Sequence, residues 1–445
     1  MSNPLKFFVI LLLALIALSP KFVEAREISE SLLIKRKIEG VTNDPSDFLQ
    51  KSVQINNPIN NIKEMDKQNY LQSKNTKTAW NYFSFPTYVG GAAFRTEYLN
   101  FEEWMERFKL YNQEQPQTLI SQARIDEMSP IEKYEYLVSG TNFSLTRAEW
   151  KIGEDMVSAT GRVSAWAGAC HGTAPASINN KSPKNPVLIS SADGKRQVEF
   201  TTKDLKILLA FVWARNPSPF VMLGQRCRYP IYSEYFTQVS SCFDTNPGAF
   251  HIALTNTYNR TDETLIVDTS SGAEVWNRPI LSYDYQYYNI NSSRNTTNIQ
   301  NAVIAIDKIR DPKLRTNRSA KAKYVLGIWM NLHLLSDLGL KEEDKEELNI
   351  KQYEVLYDLE LDENYNIIGG EWHSPYHPDF LWSTSKGKFP LTIFDRLYAR
   401  SYNTTATDFK IPVELNKAAQ KAQEKGEVSY YLLDFLNQLS QKEID

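Results

Sequence analysis

One cysteine, Cys170, lies where the composition of the chain changes from loop to helix. It follows Trp166-Ala-Gly-Ala and precedes His-Gly-Thr-Ala-Pro-Ala-Ser-Ile178. This pattern predicts a thiol in the first turn of a helix, where the positive end of the helix dipole favours the thiolate. The segment therefore predicts a reactive thiol and constrains the fold to one that brings further polar groups to that helix end. A buried structural thiol is the alternative.

Two downstream segments carry polar residues that a thiol nucleophile needs. Pro247-Gly-Ala-Phe-His251-Ile-Ala-Leu and Leu265-Ile-Val-Asp268 are short apolar runs, and we interpret both as strands. A histidine accepts the thiol proton, and an acid fixes the tautomer of the imidazole ring. The order of the cysteine, the histidine and the acid along the chain fits a papain-like site. Cys170 would be the nucleophile, His251 the base and Asp268 the orienting acid.

A site of this kind also needs hydrogen-bond donors for the oxyanion that forms on the attacked carbonyl. The backbone N–H of Cys170 supplies one donor if a helix begins there. The sequence does not identify the second donor. Its candidates are Trp166, Ser164 and Gln225.

Residues 1–25 have the pattern of a secretory signal peptide. Lys6 precedes an apolar run, and small residues occur near Ala25. The run is too short to span a bilayer comfortably, and an uncleaved anchor is the alternative. We expect a secreted or periplasmic protein that is not membrane-bound after cleavage. A formal net charge of −3 argues against a nucleic-acid partner, because proteins that bind nucleic acids usually carry basic patches.

The three cysteines fit an oxidising compartment, in which an odd number leaves one thiol free. Cys227 and Cys242 are close in sequence and are predicted to form a disulfide. Closing a loop of that size stabilises the fold by about 3 kcal/mol. Cys170 is then the free thiol.

Composition divides the remaining chain into segments. Residues 26–78 are rich in Asn, Lys, Gln and Ser, which predicts a poorly ordered leader or pro-segment.

Alternating apolar residues after Cys170 predict an antiparallel sheet. The predicted fold class is α+β, a cysteine catalytic core with an antiparallel sheet and flanking helices. The predicted units are a helical subdomain at 79–160, the catalytic core at 161–390 and a C-terminal helical segment at 391–445.

Several motifs occur in one order between residues 160 and 385. They are Trp-Ala-Gly-Ala-Cys-His-Gly (166–172), Asn-Pro-Gly-Ala-Phe-His (246–251), Gly-Gly-Glu-Trp (369–372) and His-Pro-Asp-Phe-Leu-Trp (377–382). A further segment contains Val275, Trp276, Asn277 and Pro279, and it looks like the thirteen-residue elicitor segment of a known family. Together these motifs resemble the secreted transglutaminase elicitor family of plant-pathogenic oomycetes and its bacterial relatives.

The resemblance implies a protein-glutamine gamma-glutamyltransferase on a papain-like or transglutaminase-like core. Cys170, His251 and Asp268 match the nucleophile, base and orienting acid of the family. The implied substrates are proteins that present glutamine and primary amines such as lysine. Calcium is implied by the resemblance alone, because the acidic residues at 358–363 lack EF-hand spacing. The metal ligands are unknown.

Two other functions remain open. The same three residues would serve a secreted papain-like cysteine protease or a glutamine deamidase, since these reactions differ only in the attacked carbonyl and in the acceptor. A non-catalytic elicitor or binding protein is the third possibility.

Overall fold

The computed structural model describes residues 41–42, 44–74, 79–83, 85–93, 95, 122–140, 143–161, 163–164, 166–226, 245–316, 318–339, 342–374, 376–399 and 409–442. The predicted signal peptide and both cysteines of the predicted disulfide, Cys227 and Cys242, lie outside these residues. Those two predictions therefore stay predictions.

A large sheet organises the described part of the chain. Its strands and a separate hairpin are β1 (Val41–Thr42), β2 (Gln72–Lys74), β3 (Val187–Ser190), β4 (Gln197–Phe200), β5 (Phe220–Gly224), β6 (Ile266–Asp268), β7 (Asn277–Asn289), β8 (Arg294–Thr296), β9 (Ile304–Ala305), β10 (Tyr324–Leu335), β11 (Ile350–Leu361), β12 (Ile367–Trp372) and β13 (Phe380–Thr384). The main path of the sheet runs β1-β5-β13-β6-β7-β10-β11-β12, and β3 and β4 form the separate hairpin. The pairs are antiparallel apart from β1 with β5.

The helices of the described residues are α1 (Pro45–Val53), α2 (Ile62–Lys67), α3 (Pro130–Val138), α4 (Ser144–Thr160), α5 (Cys170–Asn179), α6 (Thr202–Arg215), α7 (Pro247–Arg260), α8 (Ile299–Ala302), α9 (Pro312–Arg315), α10 (Ile393–Tyr398), α11 (Val413–Gln423) and α12 (Tyr430–Ser440). One hydrophobic core lies between the sheet and α1, α2 and α7. A second core joins α3, α4, α6, α11 and α12. The helices and the antiparallel sheet confirm the predicted α+β class. Within the described ranges, no helix has the length and apolar character that a membrane crossing requires.

Residues 44–74 are part of the first core. The Asp44 side chain caps α1 by accepting a hydrogen bond from the Ser46 N–H at 2.8 Å. Phe48 and Leu49 on α1 and Met65 on α2 are fully buried. The prediction of a poorly ordered leader is therefore wrong for this stretch. Its polar residues occupy the outer faces of two capped helices, and average composition conceals the apolar inner faces.

The segment around His251 is a helix, whereas the sequence predicted a strand. The Asn246 side chain caps α7 by accepting hydrogen bonds from the N–H groups of Gly248 and Ala249. Pro247 suits the first helical turn. Nearly every residue of α7 is buried, including polar ones such as Asn256 and Thr257, so the helix has no polar face turned to solvent. Without a polar face the helical period is not visible, and a short apolar run resembles a strand.

Two of the motifs meet where α7 packs on β12. A Cβ atom on Gly248 would lie 2.6 Å from the carbonyl oxygen of Gly369. A Cβ atom on Gly370 would lie 3.2 Å from the Cβ atom of Pro247 on α7 and 2.1 Å from the carbonyl oxygen of Asp358 on β11. Because neither position leaves room for a side chain, the Asn-Pro-Gly and Gly-Gly-Glu-Trp motifs form a packing contact between a helix and a strand.

Truncation of Phe48 tests whether residues 44–74 belong to the folded core. Phe48→Ala removes a fully buried ring and is expected to lower the free energy of unfolding by about 3–5 kcal/mol. Gln50→Ala, on the exposed side of the same helix, is the matched control and should change stability little. Denaturant unfolding measures both. Equal midpoints for the two variants would show that α1 is a dispensable attachment.

Candidate active site around Cys170

Cys170 is the first residue of α5, as the sequence predicts. The helix packs closely on α6, because a Cβ atom on Gly172 would lie 2.2 Å from the carbonyl oxygen of Ala210. Any side chain at Gly172 would push α5 outward together with the thiol. The glycine of the Cys-His-Gly motif thus sets the depth at which the sulfur lies.

The Cys170 sulfur is half-buried and contacts the elicitor-like segment. Its thiol donates a hydrogen bond to the Val275 carbonyl at 3.5 Å, and Nδ2 of Asn277 donates to the sulfur at 3.5 Å. Burial raises the pKa of Cys170. Hydrogen bonds to the sulfur from Asn277 and from the backbone of His171 act in the opposite direction, because they favour the thiolate.

Asp268 ends β6 beside this contact. It lies directly opposite Asn277 in the antiparallel register, which places the two side chains on one face of the sheet. Its Oδ1 accepts hydrogen bonds from the Ser270 hydroxyl at 2.9 Å and from the Trp276 N–H at 2.8 Å. Its Oδ2 is buried and has no hydrogen-bond partner among the described residues. The prediction of a strand ending at Asp268 is confirmed.

Burial raises the pKa of Asp268 to about 6, although hydrogen bonds from Trp276 and Ser270 lower it in part. The carboxylate lies close enough to Cys170 for its charge to raise the pKa of the thiol. The structure therefore brings Cys170 and Asp268 to one site.

His251 does not reach this site. Its ring is fully buried in the first core, with Nδ1 2.9 Å from the Tyr357 hydroxyl and the ring centroid 5.0 Å from that of Tyr285. Its Nε2 has no hydrogen-bond partner among the described residues. Burial lowers the pKa of His251 to about 3, so the ring is neutral at physiological pH.

The length of β7 separates His251 from Cys170. Cys170 contacts Asn277 at the start of this strand, whereas His251 packs on Tyr285 farther along it. At about 3.3 Å per residue, the strand covers roughly 26 Å between Asn277 and Tyr285. The geometry therefore contradicts the assignment of His251 as the base for Cys170. The physical reason is that α7 packs on β11 and β12, at the other end of the sheet.

One of the five histidines, His171, lines a cavity with Cys170. Burial lowers the pKa of His171, and a hydrogen bond with the Ala214 backbone opposes this. The other histidines have partners elsewhere: His333 with Asp284 at 2.9 Å, His373 with Asp358 at 2.7 Å, and His377 stacked on Trp372 with ring centroids 5.2 Å apart.

Cys170 lies where two cavities adjoin. The larger has a volume of about 860 Å³, and the smaller about 40 Å³. Aromatic side chains form much of the wall of the larger cavity: Phe85, Trp166, Phe211, Trp213, Phe220, Phe380 and Trp382. The smaller cavity is lined in part by Tyr82, Trp276 and Asp337. Both cavities border Cys170, and the larger has room for a substrate side chain.

Of the three candidate oxyanion donors, Trp166 lines both cavities, whereas Ser164 and Gln225 line neither. Sequence reasoning missed Arg226, which lines the larger cavity. Its guanidinium donates to the Ala273 carbonyl at 2.7 Å and lies 5.3 Å from the ring centroid of Trp166. The sequence signal for Arg226 is its position directly after Gln225, one of the candidate oxyanion donors.

The elicitor-like segment forms one wall of the site. Val275 and Asn277 contact the sulfur, and the Trp276 N–H holds Asp268. Pro279 is buried on β7 opposite Ile266. The segment thus joins the nucleophile to the sheet.

The described residues do not fit a calcium site. They contain no group of three or more His, Cys, Asp or Glu side chains placed to hold a metal ion. In the acidic stretch at 358–363, Asp358 is fully buried and accepts two hydrogen bonds from Arg318, both at 2.7 Å. Its oxygens are therefore engaged in an ion pair.

The sequence model of the transglutaminase elicitor family matches residues 151–393. The chain belongs to the transglutaminase elicitor family. The matched range contains Cys170, Asp268 and the elicitor-like segment, as the motifs indicated. A search of curated protein sequences finds no match to this chain.

Among solved structures, the crystal structure of the GP42 transglutaminase from Phytophthora sojae is similar. The TM-score is 0.54 with 19% sequence identity, over 89% of this chain and 98% of that chain. At this identity the similarity shows a shared fold. Family membership and shared fold both agree with the resemblance inferred from the motifs.

The position of His251 predicts that Cys170 reacts independently of it. Alkylation of Cys170 by iodoacetamide at pH 7 should stay within about twofold of the wild-type rate in His251→Gln, because the two sites share no contact. Mass spectrometry of the Cys170 peptide gives the rate. A loss of more than about tenfold in folded protein would indicate a direct cysteine–histidine pair.

Proposed function

We propose that this protein is a secreted protein-glutamine gamma-glutamyltransferase that acts through a thioester on Cys170. The observation that carries the proposal is the placement of the sulfur at the N-terminus of α5, between two cavities and in contact with Asn277. Membership of the transglutaminase elicitor family supports this reaction class. Secretion is proposed from the sequence pattern of residues 1–25.

In the first half-reaction, the Cys170 sulfur attacks the carboxamide carbon of a substrate glutamine. A carbon–sulfur bond forms, and the carbon–nitrogen bond to the leaving ammonia breaks. We assign the thiol proton to Oδ2 of Asp268, which then delivers it to the departing ammonia. The unpartnered Oδ2 and the position of Asp268 opposite Asn277 support this role.

The oxyanion of this step needs donors at the start of α5. The backbone N–H of Cys170 is the first, and Trp166 is the proposed second because it lines both cavities. Such donors stabilise the transition state by a few kcal/mol each, at most about 4.

In the second half-reaction, a primary amine such as a lysine side chain attacks the thioester carbon. The carbon–nitrogen bond forms and the carbon–sulfur bond breaks. Asp268 takes the proton of the amine and returns it to the Cys170 sulfur. The smaller cavity is the proposed amine route, since Trp276 and the carboxylate of Asp337 line it. If water attacks instead, the product is a deamidated glutamine. If a backbone carbonyl is attacked in the first step, the reaction is proteolysis.

The reaction is tested by the mass of a glutamine-containing peptide incubated with the protein and an excess of a primary amine. We expect a product heavier by the amine and lighter by ammonia, and no product with Cys170→Ala. Deamidation or cleavage by the wild type would assign the site to hydrolysis. A wild-type protein that changes no peptide while it still elicits a plant response would support the non-catalytic alternative.

The proton role of Asp268 predicts a dependence on the leaving group. Asp268→Asn should lower turnover of a glutamine amide by about 10²- to 10⁴-fold, because general acid–base catalysis of the ammonia departure is lost. A p-nitrophenyl ester, whose leaving group needs no proton, should lose less turnover, because the variant then removes only the acceptance of the thiol proton. Equal losses on both substrates would contradict the assignment of Asp268 as the acid that protonates the departing ammonia.

The same assignment predicts the pH profile. The pKa of Asp268 is about 6, so wild-type amide turnover should rise with pH through this value as the carboxyl group loses its proton and becomes able to accept one. Asp268→Asn should lack this rise. A rise that persists in the variant would assign it to another group.

A further inference from the structure

We propose that Asn277 is a catalytic residue whose amide, oriented by Trp382, donates a hydrogen bond to the Cys170 sulfur and stabilises the attacking thiolate. The proposal rests on the proposed function in taking Cys170 as the nucleophile. It assigns the contact that a histidine makes in a cysteine–histidine pair to an amide that bears no charge.

The chemistry of Trp382 fixes the orientation of the amide. Its indole N–H lies 2.8 Å from Oδ1 of Asn277. An indole N–H can only donate, so the atom that faces it must be the amide oxygen. The amide nitrogen of Asn277 must therefore face the Cys170 sulfur, at 3.5 Å.

The arrangement discriminates between the two states of Cys170. The neutral thiol donates to the Val275 carbonyl at 3.5 Å. The thiolate can only accept, and it has donors in the amide and backbone N–H groups of Asn277 and in the backbone N–H of His171. Hydrogen bonds to a charged acceptor are roughly twice as strong as neutral ones.

Water is a poor substitute for these partners. Asn277 is 4% exposed and Trp382 is 7% exposed, so both groups are fixed in the wall of the site. The rings of Trp382 and Phe220 also pack edge to face, with their centroids 6.1 Å apart. If Trp382 loses its N–H, the amide of Asn277 can turn and present its oxygen to the sulfur.

Alkylation of Cys170 by iodoacetamide, followed by mass spectrometry across a pH series, tests the proposal without a glutamine substrate. We expect Asn277→Leu to raise the pH midpoint by about one to two units, a roughly ten- to hundred-fold slower reaction at pH 7, because a charge-assisted hydrogen bond is lost. Trp382→Phe should also raise the midpoint, by less. The titratable and charged residues around the thiol are the same in every variant: His171, Asp268, Arg226, Tyr82, Arg278 and Asp337.

Trp213→Phe is the matched control. Trp213 lines the same cavity, and its indole N–H donates to Oδ1 of Asn180 at 2.8 Å, away from the sulfur. Its loss should leave the midpoint unchanged. Equal midpoints in Trp382→Phe, Trp213→Phe and the wild type would overturn the proposal, even if Asn277→Leu fails to fold. If the wild type shows no transamidation, the proposed function is wrong. The alkylation result still tests the role of Asn277, because it needs no glutamine substrate.

Discussion

The contact between the first turn of α5 and the start of β7 is the interaction on which the site depends. Gly172 allows α5 to lie close to α6, and this depth brings the Cys170 sulfur to Val275 and Asn277. The sheet then supplies the remaining groups, because Asp268 is the register partner of Asn277. One helix–strand contact therefore brings the nucleophile, its hydrogen-bond donor and a carboxylate together.

The family motifs have two separate structural roles. Trp166–Gly172 and Trp382 of the last motif lie at the cysteine site, whereas the Asn-Pro-Gly and Gly-Gly-Glu-Trp motifs pack α7 on β12. His251 belongs to the second group. Its neutral ring between Tyr285 and Tyr357 serves the core, so a shared histidine in an ordered motif does not by itself identify a base.

The sequence predicted those elements whose local pattern agrees with their environment. Cys170 at a helix start and Asp268 at a strand end were recognised because small residues and a short apolar run are strong local signals. The helix that carries His251 was mistaken for a strand because burial on all sides removes the helical period. The sequence marks Asn277 only as part of the elicitor-like segment, because its role depends on Trp382, which lies far away in the sequence.

The central claim is that Cys170 forms a thioester with a glutamine side chain. The most direct measurement is the intact mass of the protein after it is mixed with a glutamine peptide in the absence of amine and quenched rapidly in acid. We predict an adduct equal to the peptide minus ammonia, mapped to the peptide that contains Cys170 and absent from Cys170→Ala. Release of ammonia without an adduct on Cys170, or an adduct that persists in Cys170→Ala, would contradict the account.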